Sequence, residues 1–179
     1  MKTDPLPPLV AKKSARVATQ LYLQYRVDQH VCGVSCRWVE QVIPEMDFIQ
    51  VPGVPSHFRG LLRYQTGVIP VIDLCQLLVH RPAAVKLSTR IILLRPSPDV
   101  AGAVLGILAE HVLNVVEIRN EACRPSGIPS ESSLLSGLIA ETSSGWMQII
   151  DPERLLPFGI STPHGSWLTP PESQRHARI

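Results

Sequence analysis

Along most of this chain apolar and polar residues alternate at short range, and turn-forming residues interrupt the alternation every few positions. TQLYLQYRV, Thr19 to Val27, places Leu21, Leu23 and Tyr25 on one face and Tyr22, Gln24 and Arg26 on the other, the period of a half-buried strand. Asp28-Gln29 supplies a turn, and HVCGVSC returns as the second strand of a hairpin. RWVEQVI, Arg37 to Ile43, reads as a short helix or a continuing strand, ended in either case by Pro44. GLLRYQTGVIPVIDL, Gly60 to Leu74, is two apolar runs joined by a polar break. Pro70, inside the second run, cannot donate to a sheet ladder, which calls for an edge strand or a bulge. CQLLVH follows as one or two helical turns, with Asp73 accepting backbone N–H bonds where strand gives way to helix, and RPAAVKLS as a loop. TRIILLR, Thr89 to Arg95, is nearly all apolar, as for a strand covered on both faces. In Ala103 to Ile118, Gly106 and Asn114 favour one bent strand with a bulge, a helix being the alternative. LLSGLIA and GWMQIID flank the turn 141–145 as a last hairpin. DPERLLP, Asp151 to Pro157, is a short helix with Asp151 as cap and Pro152 at its first position.

Many short strands and few helices make the chain mainly β, of barrel or sandwich class. Residues 1–15 and 161–179 are aperiodic and proline-containing and read as flexible tails around one domain, 16–160. Apolar residues make up 45% of the 179, enough for a packed core. The net charge of +2 comes from scattered basic residues, without the basic stripe that a nucleic-acid partner requires. No apolar run approaches the roughly 20 residues of a membrane span, and prolines occupy the place of a signal peptide's apolar centre. The chain therefore reads as cytoplasmic, without direct membrane insertion. In that compartment Cys32, Cys36, Cys75 and Cys123 are small core hydrophobes.

Chemistry is sparse. On a strand Cys32 and Cys36 would share a face but lie about 13 Å apart, too far for one metal ion. Cys75 sits in IDLCQLL, with nothing polar to activate its thiol. Asp73 and Glu110 could pair as carboxylates, but no spacing ties them together. Phosphate-binding glycine loops are absent. Nothing in the residues proposes an enzyme, a metal or a cofactor.

Read whole, VPGVPSHFRGLLRYQTGVIPVIDL resembles the CheW family, the adaptors of bacterial chemotaxis-type signalling arrays. Pro52, Pro55, Gly60 and Tyr64 fall in the family's register, and Val68 to Leu74 matches its Val-Ile-Pro-Val-Ile-Asp-Leu motif throughout. QLYLQYRVDQHVCGVSCRWVEQVI is similar to the opening hairpin and the Val-x-Glu-Ile segment. VLGILAEHVLNVV follows the family's Val-Gly-Leu-Val-Val-Asp strand, with Glu110 at the Asp position. LLSGLIA and GWMQIIDPERLL are similar to the closing hairpin and helix, so the resemblance covers roughly residues 18–157.

The resemblance implies two SH3-like five-stranded β-barrel subdomains with a few short helices. It also implies a non-catalytic adaptor joining the cytoplasmic tip of a chemoreceptor to a CheA-type histidine kinase at membrane-associated receptor arrays. Other CheW-like domains are further partners that it allows. The receptor side carries over to Val39, Gln41, Arg63, Tyr64 and Gln65. Two charged family positions differ: the Arg of the Asn-Leu-Arg-Gly turn is Gln65, followed by Thr66 in place of Gly, and the Glu of Val-x-Glu-Ile is Gln41. Amides keep hydrogen bonding but lose the charge-assisted fork of an arginine, which points to altered partner choice and a non-standard pathway. If the family glycine needs a positive φ, Thr66 would be strained there, and Gly67 is expected to take the left-handed position instead. Two other functions fit the same residues: a competitor or cap that fills array positions without activating the kinase, and a stand-alone SH3-like ligand-binding module.

Overall fold

The computed structural model describes residues 18–65, 67–127, 135–143 and 145–159. Both tails expected from the sequence lie outside the described residues. The chain enters at β1 (Thr19–Val27), turns through Asp28 at φ 56°, and returns as β2 (His30–Ser35). A 3-10 turn (Cys36–Trp38) leads into β3 (Val39–Pro44), so both readings of this stretch are met in succession. Next come β4 (Phe58–Tyr64), β5 (Gly67–Asp73), α1 (Leu74–Val79), β6 (Arg90–Leu94), β7 (Leu105–Ala109) and β8 (His111–Arg119). A second 3-10 turn (Asn120–Ala122), β9 (Cys123–Pro125), β10 (Leu135–Thr142), β11 (Gly145–Ile150) and α2 (Pro152–Gly159) complete it.

The strands form two sheets. One is six-stranded, in the order β8-β1-β2-β11-β10-β9; the other is five-stranded, β3-β6-β7-β5-β4. The five-stranded sheet is one continuous stretch of chain set between β2 and β8 of the other. Neither ladder closes into a ring among the described residues, so the fold is mainly β in two sheets, one with a strand more than expected.

The single bent strand expected over 103–118 is two strands in different sheets. β7 lies inside the five-stranded sheet between β6 and β5, and β8 is an edge of the six-stranded one beside β1. The change comes at Glu110. Before it every residue of β7 is buried, and after it β8 is largely exposed. Gly106 is fixed by packing, since a Cβ there would lie 2.9 Å from Val71 Cγ2 and 3.0 Å from Ile91 Cγ2.

Pro70 is not on an edge strand, because β5 runs between β4 and β7. It pairs with Leu61, whose backbone N–H and C=O both bond Ile49 on the far side of β4. In an antiparallel ladder such a pair turns its backbone polar groups outward, so the proline nitrogen faces β7. The β7 ladder begins only at Val71, and no donor is missed at Pro70.

One large core joins the sheets. It combines Leu23, Tyr25 and Val34 of the six-stranded sheet with Ile72, Ile91 and Leu108 of the other, and Leu155 of α2. Ile91, Ile92, Leu93 and Leu94 are all fully buried, so both faces of β6 are covered. Each such side chain contributes roughly 1.5–3 kcal/mol. A smaller core of Tyr22, Ile118, Ala140, Met147 and Ile149 lies within the six-stranded sheet. The middle of β1 is therefore buried on both faces, Gln24 included, and the polar face read from its alternation shrinks to Arg26. The two helix starts are as the sequence indicates. Asp73 Oδ1 accepts from Gln76 N at 3.1 Å, and Asp151 Oδ1 accepts from Glu153 N at 3.1 Å.

Candidate functional site

β3 and β4 are the two edges of the five-stranded sheet, and they share no ladder. The sheet curls enough to bring them together at two places. At one, the Tyr64 hydroxyl donates to Gln41 Oε1 at 2.6 Å. At the other, the segment following β3 crosses β4. Ile49 N donates to Leu61 O at 2.8 Å and Leu61 N to Ile49 O at 2.9 Å. Gly60 permits that crossing: its φ is 145°, and a Cβ would lie 2.8 Å from Ile49 O.

The residues expected to face a receptor converge only in part on this rim. Gln41 is exposed and Tyr64 half-buried, and the bond between them is the direct link. Val39 starts β3, donating its N–H to Cys36 O, and packs half-buried against the large core. Pairing with β6 shifts register between Val39 and Gln41, which turns Glu40 away. Its carboxylate meets Arg95 Nε at 2.7 Å and accepts from Gly102 N at 3.3 Å. The acid next to Gln41 in sequence is thus engaged elsewhere. Gln65 is exposed and itself takes the left-handed conformation, φ 52°. The expectation that Gly67 would do so is corrected: Gly67 is the first residue of β5 and outside the left-handed region. A side chain unbranched at Cβ tolerates that region better than a β-branched one. Thr66 lies outside the described residues.

Arg63 is exposed and lines a different feature, an open groove of about 1140 Å³ between the segment 45–49 and the loop 85–90, with Leu62 against it. Sequence reading passed over this loop. RPAAVKLS has the composition of a connection, and its Val85 and Leu87 are apolar residues that the pattern assigns no place.

Also missed was Arg81, at the junction of the two sheets. Its Nη1 and Nη2 donate to Glu110 Oε1 and Oε2 at 2.8 and 3.0 Å. Nη2 also reaches Asp28 Oδ1 at 2.6 Å. Glu110 further accepts from Ala84 N at 2.8 Å and Asp28 N at 3.1 Å. The Arg81 guanidinium holds the Glu110 carboxyl down at about 2, with help from those backbone donors, and lowers that of Asp28. Asp28 belongs to the β1–β2 turn, Arg81 follows α1, and Glu110 separates β7 from β8. The triad therefore ties three connections at the point where the chain changes sheets. Asp73 does separate work, with Oδ2 accepting from Ala83 N at 2.8 Å. Each carboxylate is thus engaged by a backbone donor, Asp73 by Ala83 and Glu110 by Ala84.

Cys32 is buried in β2 and Cys75 in α1, and burial pushes both thiols up to about 12, away from the reactive thiolate. Cys36 and Cys123 are half-buried. Among the described residues no three ligand-type side chains cluster as for a metal ion, and no helix is long and apolar enough to cross a membrane.

The family model of the CheW-like domain matches residues 21–158. No curated protein sequence matches the chain. Among solved structures, the scaffolding protein TtCheW from Thermoanaerobacter tengcongensis superimposes with a TM-score of 0.67 at 18% identity, over 84% of this chain and 93% of that one.

Proposed function

The chain belongs to the CheW-like domain family, and from that membership we propose that it is a non-catalytic adaptor coupling the cytoplasmic tip of a chemoreceptor to a CheA-type histidine kinase. The family match over residues 21–158 carries this reading, because it runs from β1 to α2 and so takes in both sheets. An adaptor of this kind works in the cytoplasm, at the receptor array, by presenting rigid surfaces to two proteins at once. We take the two sheets as two SH3-like barrels, the five-stranded one drawn together at its rim by the Ile49–Leu61 bridge and the Tyr64–Gln41 bond.

The receptor side is assigned to Val39, Gln41, Arg63, Tyr64 and Gln65. With its Oε1 occupied by the Tyr64 hydroxyl, Gln41 keeps its NH₂ group to donate outward. A glutamate at this position could only accept. The rim therefore suits a receptor that offers carbonyl or carboxylate oxygens, and this difference of affinities directs the protein to a non-standard pathway. Co-precipitation of the purified chain with each receptor tip of its host tests the reading. Binding to a subset, weakened by Gln41→Glu, supports it. Equal binding to every receptor removes the altered partner choice, and binding to none removes the adaptor.

A further inference from the structure

A β-bulge lies between Val39 and Gln41. On one side of it Arg95 N donates to Trp38 O at 2.9 Å and Val39 pairs with Leu94. On the other, Gln41, Val42 and Ile43 pair with Leu93, Ile92 and Ile91, and Glu40 is the extra residue. The flanking pairs are fixed by packing, since Val39 and Val42 lie against the large core and Ile43 is buried within it. They do not by themselves fix the bulge. Were it one residue further on, Glu40 would stand opposite Leu93 and Gln41 would be the extra residue, with every other pair of the strand kept. A bulge re-aims side chains, so its position decides whether an amide or a carboxylate stands beside Tyr64.

The Tyr64 hydroxyl does not make that choice in favour of Gln41. It donates to Gln41 Oε1 at 2.6 Å, but a carboxylate is the stronger acceptor for an O–H. The choice is made at Glu40. Its Oε2 lies 2.7 Å from Arg95 Nε and accepts from Gly102 N at 3.3 Å. Both groups belong to the connection between β6 and β7. Arg95 is anchored there by its own bond to Trp38 O, and Val104 N closes the connection on Leu94 O at 2.9 Å. The Glu40 and Arg95 side chains are 24% and 32% exposed, so water and salt screen this pair less than one on the open surface. Moving Glu40 to the rim would break the pair and leave the Arg95 guanidinium uncompensated.

We propose that Arg95 is a positioning residue for receptor choice: by holding Glu40 as the extra residue of the bulge, it makes the Gln41 amide the group that meets Tyr64 and faces the receptor. This rests on the receptor side assigned above and adds the residue that sets its charge. Without that hold the rim presents a carboxylate, which suits receptor tips that offer Lys or Arg.

The test compares the full chain with Arg95→Met, with Arg95→Lys and with Arg95→Met combined with Glu40→Gln. In the free chain, nuclear Overhauser contacts of the Tyr64 ring identify its neighbour. They are expected to Gln41 in the wild type and in Arg95→Lys, and to Glu40 in Arg95→Met. Co-precipitation with the receptor tips that the wild type binds should fall about fivefold or more in Arg95→Met, the effect of losing one strong contact of an interface. The double variant should recover it, because either position of the bulge then presents an amide. The Arg95 side chain is partly exposed and its backbone bonds remain, so Arg95→Met folds, which circular dichroism checks; Arg95→Gln takes its place in the same comparison if it does not. Tyr64 contacts that stay with Gln41 in Arg95→Met, or a loss of binding that the double variant does not recover, overturn the proposal. The nuclear Overhauser measurement needs no receptor, so failure of the adaptor reading is distinguishable from failure of this one.

Discussion

Two polar contacts in this protein join segments that share no ladder, and they are built oppositely. At the sheet junction Arg81 holds Asp28 and Glu110 in a charged, multiply bonded triad, with the Glu110 side chain only 13% exposed. At the rim of the five-stranded sheet a single hydroxyl-to-amide bond links Tyr64 to Gln41 in an exposed position. Breaking a paired charge in a partly buried place leaves its partner uncompensated. Breaking a neutral surface bond returns both groups to water at little cost. The junction is thus suited to fixing the relative placement of the sheets, and the rim to exchanging its bonds with a partner.

The largest effect is expected from Arg81→Met, which leaves two carboxylates facing each other. Its thermal midpoint should fall further than that of any other variant in this set. Adding Glu110→Gln should restore part of the loss, because the uncompensated charge is then gone. Thermal unfolding of the two single variants and the double variant measures that coupling. If the double variant is as unstable as the sum of the singles, the triad is not acting as a unit.

Gly60→Ala comes next. At φ 145°, with Ile49 O in the way, an added methyl should cost more than about 1 kcal/mol and open the Ile49–Leu61 bridge. Denaturant titration gives the cost, and hydrogen exchange at the Leu61 amide reports the bridge. Unchanged protection there would show that the rim does not depend on this crossing.

A smaller effect distinguishes the two contacts by pH. Glu110 titrates at about 2 in the folded chain against an ordinary 4.5. Its contribution is therefore fully present above about 4.5 and lost as the pH falls from there toward 2. The stability difference between wild type and Glu110→Gln should shrink through that window. Tyr64→Phe, which removes no carboxylate, should show no such trend. The smallest stability change is expected from Tyr64→Phe itself, within about 0.5 kcal/mol. Receptor binding should nevertheless change, because the Gln41 amide is then free to rotate. Loss of stability without a change in binding would reverse the roles given to rim and junction.

How far these features could be read from sequence follows from the distance over which each is decided. The β1–β2 and β4–β5 hairpins, the buried β6 and both helix caps are local, and period, turn residues and capping residues announce them. The split of 103–118 is not local. Leu105–Ala109 and the residues after Glu110 are apolar alike, and only pairing with β5 and β6 on one side and β1 on the other separates them. Pro70 suggested an edge because its missing donor was legible, while the late start of the β7 ladder was not. In the candidate site, family register picked out Gln41 and Tyr64, which are 23 positions apart, but nothing in the chain announced the bond between them. Arg81 and Leu87 lay in a segment that composition marks only as a loop, and an apolar residue there carries no sign that it is displayed rather than buried.

The adaptor claim is tested most directly by sedimenting receptor-containing membranes with the host's CheA-type kinase, with and without this chain. The kinase is expected to sediment with the membranes only when the chain is present, and Gln41→Glu to reduce the amount recovered. Kinase recovery that is the same with and without the chain would contradict it.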